Sequence, residues 1–293
     1  QLLNISNDDF IRTTEPRHRA AVIELLQRCY DAGDIELGLY SGKYCVSCEE
    51  YYTDEELIEV DGQTGCCPNH RRPVDHYEEE NYFFRLSRFT GRLLDWYAAH
   101  PNAIKPEHRA KEALGLIRGG LRDFSVSRAS LEWGIPLPWD AKHVAYVWFD
   151  ALTNYLSAVG FGDPAQDHTD WWPVDYHLIG KDIIRHHCVY WPAMLMSAGV
   201  EVPKGWAVGG WLLVGGEKMA KSGGNAVNPL DLIDTVGVDG FRYYVLAETP
   251  YGLDGDFTLD GLIARFNGDL ANNLGNLAAR VATVVDKKCG GIG

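Results

Sequence analysis

No apolar run in this sequence approaches the roughly 20 residues that a membrane-spanning helix needs, so no transmembrane segment is expected. The opening Gln1-Leu2-Leu3-Asn4-Ile5 has neither a basic n-region nor a cleavage pattern, which argues against a secretory leader and for a cytoplasmic protein. Asn4-Ile5-Ser6 formally matches a glycosylation acceptor, but nothing else points to secretion, and chance explains it. Internal repeats and low-complexity tracts are absent as well. Positive charge is short, with 27 Lys and Arg against 41 Asp and Glu, a formal net charge of −14. That excludes a basic nucleic-acid coat over the whole surface but leaves room for a local phosphate-binding patch. Collagenous, disordered, membrane and small secreted classes are thereby excluded. What remains is a chain of 293 residues, 46% hydrophobic and 12% aromatic, long enough for one large α/β domain or two domains with real cores.

The seven cysteines are an odd number and unevenly placed. Cys45, Cys48, Cys66 and Cys67 crowd into one short, acidic, Tyr-rich segment with no Lys or Arg between Lys43 and Arg71. Its apolar pieces are short, so the segment, about 39–80, is expected to be a loop-rich insert held by something other than a core. Cys45-x-x-Cys48 followed by Cys67-x-x-His70 gives two chelating pairs, which suits one tetrahedral structural Zn2+ with no position open for water. Cys66 competes for the third position; Cys67 is preferred because two intervening residues reproduce the spacing of the first pair. Cys29, Cys188 and Cys289 read as packing residues.

Helical periodicity governs residues after Pro16, where Ala20, Ile23, Leu25 and Leu26 form a stripe that Gly33 ends. It returns over 81–122, with Phe83, Leu86, Phe89, Leu93 and Leu94 on one stripe and Ala110, Ala113, Leu114 and Ile117 on another. Val144-Ala145-Tyr146-Val147-Trp148-Phe149 reads as a buried strand with a helix from about Ala151. Tyr176-His177-Leu178-Ile179 reads as a second strand turning at Gly180 into a helix, and Trp206 to Val214 as a third, ending in Gly215-Gly216. Strands alternating with helices imply a doubly wound parallel sheet, α/β in class. A last helical stretch, Leu262 to about Val285, has a different stripe and starts another domain.

The loop after the third strand, Gly215-Gly216-Glu217-Lys218-Met219-Ala220-Lys221-Ser222, sets two lysines three apart with a hydroxyl beside the second. Such a loop can close on a polyphosphate and meet the charge that grows as a phosphoanhydride breaks; it is not a Walker loop. A Lys-rich glycine loop alone is usually a solvated turn. This one resembles the lysine signature (K-M-S-K-S) of class I aminoacyl-tRNA synthetases, with Ala220 in the serine place. Tyr146-Val147-Trp148-Phe149-Asp150-Ala151-Leu152-Thr153-Asn154-Tyr155, His177-Leu178-Ile179-Gly180-Lys181-Asp182-Ile183-Ile184-Arg185-His186-His187 and Tyr190-Trp191-Pro192-Ala193 extend the resemblance to the bacterial-type methionyl-tRNA synthetases. It covers essentially the whole chain, the cysteine knuckle and the Asn267–Arg280 helix included.

The resemblance implies a class I Rossmann-like parallel sheet, interrupted by a zinc-knuckle connective insert and followed by the start of an α-helical anticodon-binding domain. The expected divisions are 1–38, the end of the first Rossmann half; 39–122, the connective domain with its knuckle at about 43–75; 123–228, the second half with the signature loop 218–222; 229–261, a linking stem-contact region; and 262–293, the start of the helical domain. The implied activity is ATP-dependent ligation of methionine to tRNA(Met) through a methionyl-adenylate, with Mg2+ accompanying ATP, in a monomer or homodimer. Lys218 and Lys221 take the catalytic role and, with Gly180, Asp182 and Ser222, contact ATP. Trp148, Ala151, Tyr155, Ile183 and His187 line the methionine side-chain pocket. Local spacing agrees: Trp148 ends the strand, while Ala151/Tyr155 and Ile183/His187 are i,i+4 pairs on helices beginning at the sheet's carboxyl edge. Tyr155 can offer a donor to the thioether, oriented by His187. Core packing is the alternative reading of an aromatic strand end and a helical histidine, and a helix N-terminal acid that of Asp182. Asn276 and Arg280 align with anticodon contacts, against the plainer reading of solvated helix residues. Arg128 falls near the active site, with a structural ion pair at least as well supported.

The family's histidine signature, H-x-G-H, does not occur in the sequence, since His177 and His186-His187 have the wrong spacing. The expectation is that the α-phosphate-binding half lies upstream and that the chain alone is catalytically incomplete. Two rivals stay open: another class I synthetase of the Leu, Ile, Val or Cys type, and a non-catalytic tRNA-binding protein derived from a synthetase. The segment 39–122 is too short for the large editing insert of the branched-chain enzymes, and the knuckle lies far along the chain from the amino-acid pocket. An upstream H-x-G-H would separate the enzyme from the scaffold. Arg85, Arg88, Arg92, Arg109, Lys111, Arg118 and Arg122 could face a tRNA acceptor end, though solvated helix faces are commoner.

Overall fold

A computed structural model describes residues 2–45, 50–52, 54–129, 131–219 and 224–291. Helix α1 (Pro16–Asp31) begins with proline at its first turn and stops before Gly33, whose φ is 73°. Its buried face is His18, Ala21, Val22, Leu25, Leu26 and Cys29. Ala20 is exposed, so the face is rotated from the expected stripe.

The segment after α1 departs from the loop-rich expectation. Ile35–Cys45 and Asp75–Phe84 pair antiparallel in unbroken register from Ile35↔Phe84 to Tyr44↔Asp75. The ladder stabilises this ribbon by backbone hydrogen bonds, which is why short apolar pieces suffice. Phe83 therefore sits on a strand, and the helical stripe begins only at Leu86. The cysteine segment is the ribbon's tip, carrying the short strands Glu50–Tyr52, Ile58–Val60 and Gln63–Cys66.

Helices α2 (Thr90–Ala99) and α3 (Glu107–Arg118) follow. Between them Ile104–Lys105 joins the parallel sheet at Trp206–Ala207, which itself pairs in parallel with His177–Gly180. One contiguous core gathers Leu25 and Leu26 of α1, Phe84, Leu93, Ile117, Phe149, Trp191 and Trp206. Two of the expected strands are shorter than their apolar runs. Only Val144–Ala145 is extended, paired with Ser127–Arg128, and helix α4 (Val147–Leu152) starts at once with Asp150 in its first turn. Trp148 thus lies in a helix rather than at a strand end; tertiary context overrides β propensity here. Helix α5 (Asn154–Ala158) continues from α4 through Thr153.

The strand expected over Trp206–Val214 is Trp206–Gly209 and Leu212–Val214, which belong to different sheets. The break is at Gly210, where a Cβ would sit 2.0 Å from the Leu253 carbonyl oxygen. Leu212–Val214 turns back through Gly215 and Gly216, both at positive φ (62° and 80°), to pair Leu213 with Lys218, the two-residue hairpin that such glycines favour. It also pairs in parallel with Gly255–Asp256. A second small core of Tyr244, Phe257 and Leu262 packs against Val214 and Met219.

After the wide helical turn His186–Tyr190, α6 (Trp191–Ser197) completes the layer beside the sheet. Helix α7 (Pro229–Glu248) is broken at Gly237, whose φ/ψ of 74°/167° no helix accommodates. Helix α8 (Leu259–Arg265), the wide turns Phe266–Gly275 and α9 (Asn276–Cys289) run on to a left-handed cap at Gly290. No helix of the described residues is long and apolar enough to cross a membrane.

Candidate active site and metal knuckle

The strand His177–Gly180 runs into the helical segment Lys181–Tyr190, which packs against α4, and Tyr155 of α5 lies against His177 and His187. Tyr155 of α5 places its hydroxyl 2.8 Å from His187 Nε2. His187 Nδ1 lies 3.0 Å from the Ile183 carbonyl, which can only accept, so Nδ1 carries the proton. Burial lowers the His187 pKa, so the ring is neutral at pH 7 and its Nε2 accepts. The Tyr155 hydroxyl therefore turns its hydrogen to His187, while burial raises its own pKa. Trp148 stacks face to face on His186, centroids 3.7 Å apart. Ala151 lies one turn before Tyr155, where α4 passes into α5. Of the expected pocket residues, Tyr155, His187 and the Ile183 carbonyl are joined by these bonds, and Trp148 lies against the adjoining His186.

Sequence reasoning missed the second layer. His177 packs 4.0 Å from Tyr155, centroid to centroid, and its Nε2 accepts from the Trp191 indole at 3.1 Å. Desolvation drives His177 and His186 down to pKa values of about 3, with repulsion from a protonated His187, and at His186 from Arg185, adding to it on acidification. A neutral aromatic box results. His18 of α1, fully buried, reaches Asp150 at 2.5 Å and Ser157 at 2.8 Å, tying α1 to α4 and α5. The available signals were a histidine inside a helix's apolar face and the His186-His187 doublet.

Beside the box, Gly180 and Asp182 are in direct relation: a Cβ on Gly180 would lie 2.7 Å from Asp182 Oδ1. Its φ is −79°, so glycine serves clearance there and not chain reversal. Asp182 Oδ2 accepts from Lys218 Nζ at 2.7 Å. Burial works against the carboxylate, but the Lys218 hydrogen bond and charge outweigh it and hold the pKa below its ordinary value. Lys181 pairs likewise with Asp254 at 2.7 Å. Asp182, Lys181, His186 and Trp211 line a cleft of about 750 Å³ together with Arg109 and Glu112. Lys221 and Ser222 lie outside the described residues.

At the ribbon tip, ligand atoms of Cys45, Cys67 and His70 lie within 4.8 Å of one another and form a possible metal site. The His70 backbone N–H points to Cys67 Sγ at 3.5 Å, as in a tight chelating turn. Cys66 is turned away, donating to the Gln63 carbonyl at 3.4 Å, which favours Cys67 as the ligand. Two thiols and an imidazole fit a divalent zinc-like ion. Cys48, the fourth expected ligand, lies outside the described residues.

Arg128 is 5% exposed, its guanidinium 4.3 Å from the Tyr146 ring centroid and 2.8 Å from Ser125 Oγ. Of the basic residues over 85–122, Arg85 pairs with Glu36 and Asp123, Arg109 with Glu112 and Lys111 with Glu107. Much of that charge is therefore offset locally. Asn276 and Arg280 are exposed one turn apart on α9.

The family profile described as tRNA synthetases class I (M) matches residues 1–78 and 66–282. A methionine–tRNA ligase of Streptomyces coelicolor is 48% identical over 292 residues, 99% of this chain and 54% of that protein. One from Clostridium perfringens is 48% identical over 294 residues, 100% of this chain and 45% of that protein. The crystal structure of Mycobacterium tuberculosis methionyl-tRNA synthetase bound by methionyl-adenylate superposes with a TM-score of 0.91 at 46% identity, covering 99% of this chain and 57% of that one. The chain spans about half the length of the curated relatives it matches.

Proposed function

Because the chain belongs to the class I tRNA synthetases of the methionyl type, we propose that it supplies the pocket-bearing and lysine-loop half of a methionine–tRNA ligase acting in the cytoplasm. The observation that carries this reading is the Tyr155–His187 pair, with Trp148 stacked on the adjoining His186, on the same segment that carries Asp182 and its partner Lys218. An aromatic box on the segment that carries a carboxylate paired with a half-exposed lysine suits an amino acid with a long apolar side chain beside a nucleotide. The methionine thioether, a weak acceptor, competes with His187 for a single Tyr155 hydrogen. Discrimination then rests mainly on the Trp148, Ala151 and Ile183 walls.

The reaction is a two-step ligation. The methionine carboxylate oxygen attacks the α-phosphorus of Mg-ATP in line; the O–Pα bond forms as the bond to the β-phosphate breaks and pyrophosphate leaves. Asp182 accepts from the ribose hydroxyls, and Lys218 moves from that carboxylate to the phosphates. Lys218 and Lys221 then offset charge on the departing pyrophosphate. The terminal adenosine hydroxyl of tRNA(Met) attacks the adenylate and releases AMP, with Asn276 and Arg280 of α9 reading the anticodon. Cys45, Cys48, Cys67 and His70 would hold one Zn2+ that closes the ribbon tip and takes no part in the chemistry. The test is methionine-dependent ATP–pyrophosphate exchange and charging of tRNA(Met) by the full-length protein. Absence of both with soluble, folded protein refutes the reading.

A further inference from the structure

Trp211 has no part in the chemistry above, yet two ammonium groups lie over its ring. Lys181 Nζ is 3.9 Å and Lys218 Nζ 4.7 Å from the ring centroid. Each lysine also has its own carboxylate, Asp254 and Asp182 respectively, both at 2.7 Å. The Trp211 backbone N–H donates to Asp254 Oδ1 at 2.9 Å, and its carbonyl accepts from Gly255 N–H at 3.0 Å. The same aspartate therefore fixes the tryptophan backbone and Lys181. The indole Nε1 is buried, and the Trp211 side chain helps to hold the Asp182 carboxyl below its ordinary range. Gly210, immediately before it, is packed against the Leu253 carbonyl too closely for any side chain. The ring is thus a fixed surface at the junction between the parallel strand Trp206–Gly209 and the hairpin that carries Lys218.

We propose that Trp211 is a positioning residue for the lysine loop: its indole face holds the Lys218 ammonium as Lys218 passes from Asp182 to the nucleotide phosphates. The inference rests on the adenylate-forming reading above. Lys218 and Asp182 are each nearly half exposed, 46% and 40%, so water weakens their pair to about the strength of a cation–π contact. An aromatic face can therefore keep the cation in place once the ribose claims the carboxylate. Lys181, paired with Asp254 and only 19% exposed, takes the rest of the ring, while Lys218, 46% exposed, is the lysine with room to travel.

The experiment compares Trp211→Phe and Trp211→Leu in the full-length protein by methionine-dependent ATP–pyrophosphate exchange, alone and in a Lys218→Ala background. Phe keeps a cation-binding face, and kcat is expected to stay within about twofold of the parent. Leu removes it, and kcat is expected to fall roughly 5- to 30-fold, with the methionine KM unchanged and the melting temperature close to the parent. In the Lys218→Ala background the Leu substitution is expected to cost less than about twofold, since the group it acts through is gone. Parent-like kcat for Trp211→Leu, equal losses for Phe and Leu, or an undiminished Leu effect without Lys218 each overturns the proposal. Trp211→Met serves as the second non-aromatic variant should Leu fail to fold. If the unsubstituted protein shows no methionine-dependent exchange, the functional reading fails and takes this proposal with it. If it exchanges normally and the Trp211 variants match it, only the role of Trp211 fails.

Discussion

The hydroxyl of Tyr155 donates to His187 Nε2 at 2.8 Å because the other ring nitrogen of His187 is already committed to the Ile183 carbonyl at 3.0 Å. One backbone acceptor thereby sets a tautomer, and the tautomer sets the direction of a tyrosine proton 32 residues away in sequence. This polar chain borders the box through His177, which packs on Tyr155 and is itself held by Trp191.

Tyr155→Phe leaves that Nε2 buried without a donor, which costs about 1–3 kcal/mol. The ring loses the restraint that keeps the pocket wall in place. Methionine KM is expected to rise about tenfold, with kcat for pyrophosphate exchange changing far less. Steady-state exchange kinetics against methionine concentration check it; an unchanged KM removes Tyr155 from the pocket.

Gly180→Ala tests the nucleotide side. The φ of −79° suits alanine, so the backbone needs no rearrangement, but the new Cβ meets Asp182 Oδ1 at 2.7 Å. The carboxylate must swing away from the place where a ribose would meet it. ATP KM is expected to rise about tenfold, the worth of a charge-assisted hydrogen bond, while methionine KM and the melting temperature hold. A parent-like ATP KM would show that Asp182 does not need this position.

Lys221→Ala removes the cation proposed to offset charge on the leaving pyrophosphate. The exchange rate is expected to drop about 100-fold, the usual loss when one donor to developing charge is deleted. Methionine affinity, read by equilibrium binding, should be unchanged. Unaltered exchange in this variant ends the assignment.

Much of this was legible in the sequence, and the misses have physical causes. The signature loop and the two metal pairs were expected from fixed spacing, and the pocket residues from a family resemblance over consecutive residues; Cys45, Cys67 and His70 do lie together. Val144–Phe149 misled because β-branched and aromatic residues prefer strands, whereas the pairing partner Ser127–Arg128 is two residues long and the chain turns helical after Ala145. The ribbon Ile35–Phe84 was hidden because its stability comes from a ladder between residues 31 to 49 apart, with no apolar alternation strong enough to mark it. His18, His177 and Trp211 went unread because their roles depend on partners distant in the chain: Asp150, Trp191, and the lysine–aspartate pairs.

The knuckle makes a prediction that separates adjacent cysteines. Cys67 shares the cluster with Cys45 and His70, while Cys66 points to a carbonyl. Protein purified without chelator should carry one zinc per chain. Cys66→Ala should retain it, and Cys67→Ala should lose it, by elemental analysis. Because the cluster sits at the ribbon tip, zinc loss should open the tip to proteolysis and leave the main core folded. The reverse pattern of retention would exchange the two cysteines' roles.

Stability should fall on acidification before any carboxylate is titrated. Desolvation holds His177 and His186 at about 3 in the folded protein, against 6.5 for an unperturbed imidazole, and His187 is lowered in the same direction. Between those limits the unfolded chain binds protons that the folded chain refuses. Unfolding free energy then rises with pH across that window, so this stabilisation is whole above about pH 6.5 and is lost progressively toward pH 3. Asp182 and Asp254 are shifted below their ordinary values, so their contribution goes only below about pH 4. The interval from about pH 6.5 to 4.5 therefore belongs to the histidines. Thermal unfolding at closely spaced pH values should show a plateau near pH 7–8 and a decline below pH 6.5, with a proton uptake on unfolding of about two or more per chain. Replacing His177 by Gln, which keeps an acceptor for the Trp191 indole without the basic ring, should reduce that uptake by about one. A melting temperature flat from pH 7 to 4.5 would mean that the box is open to water and its imidazoles titrate normally.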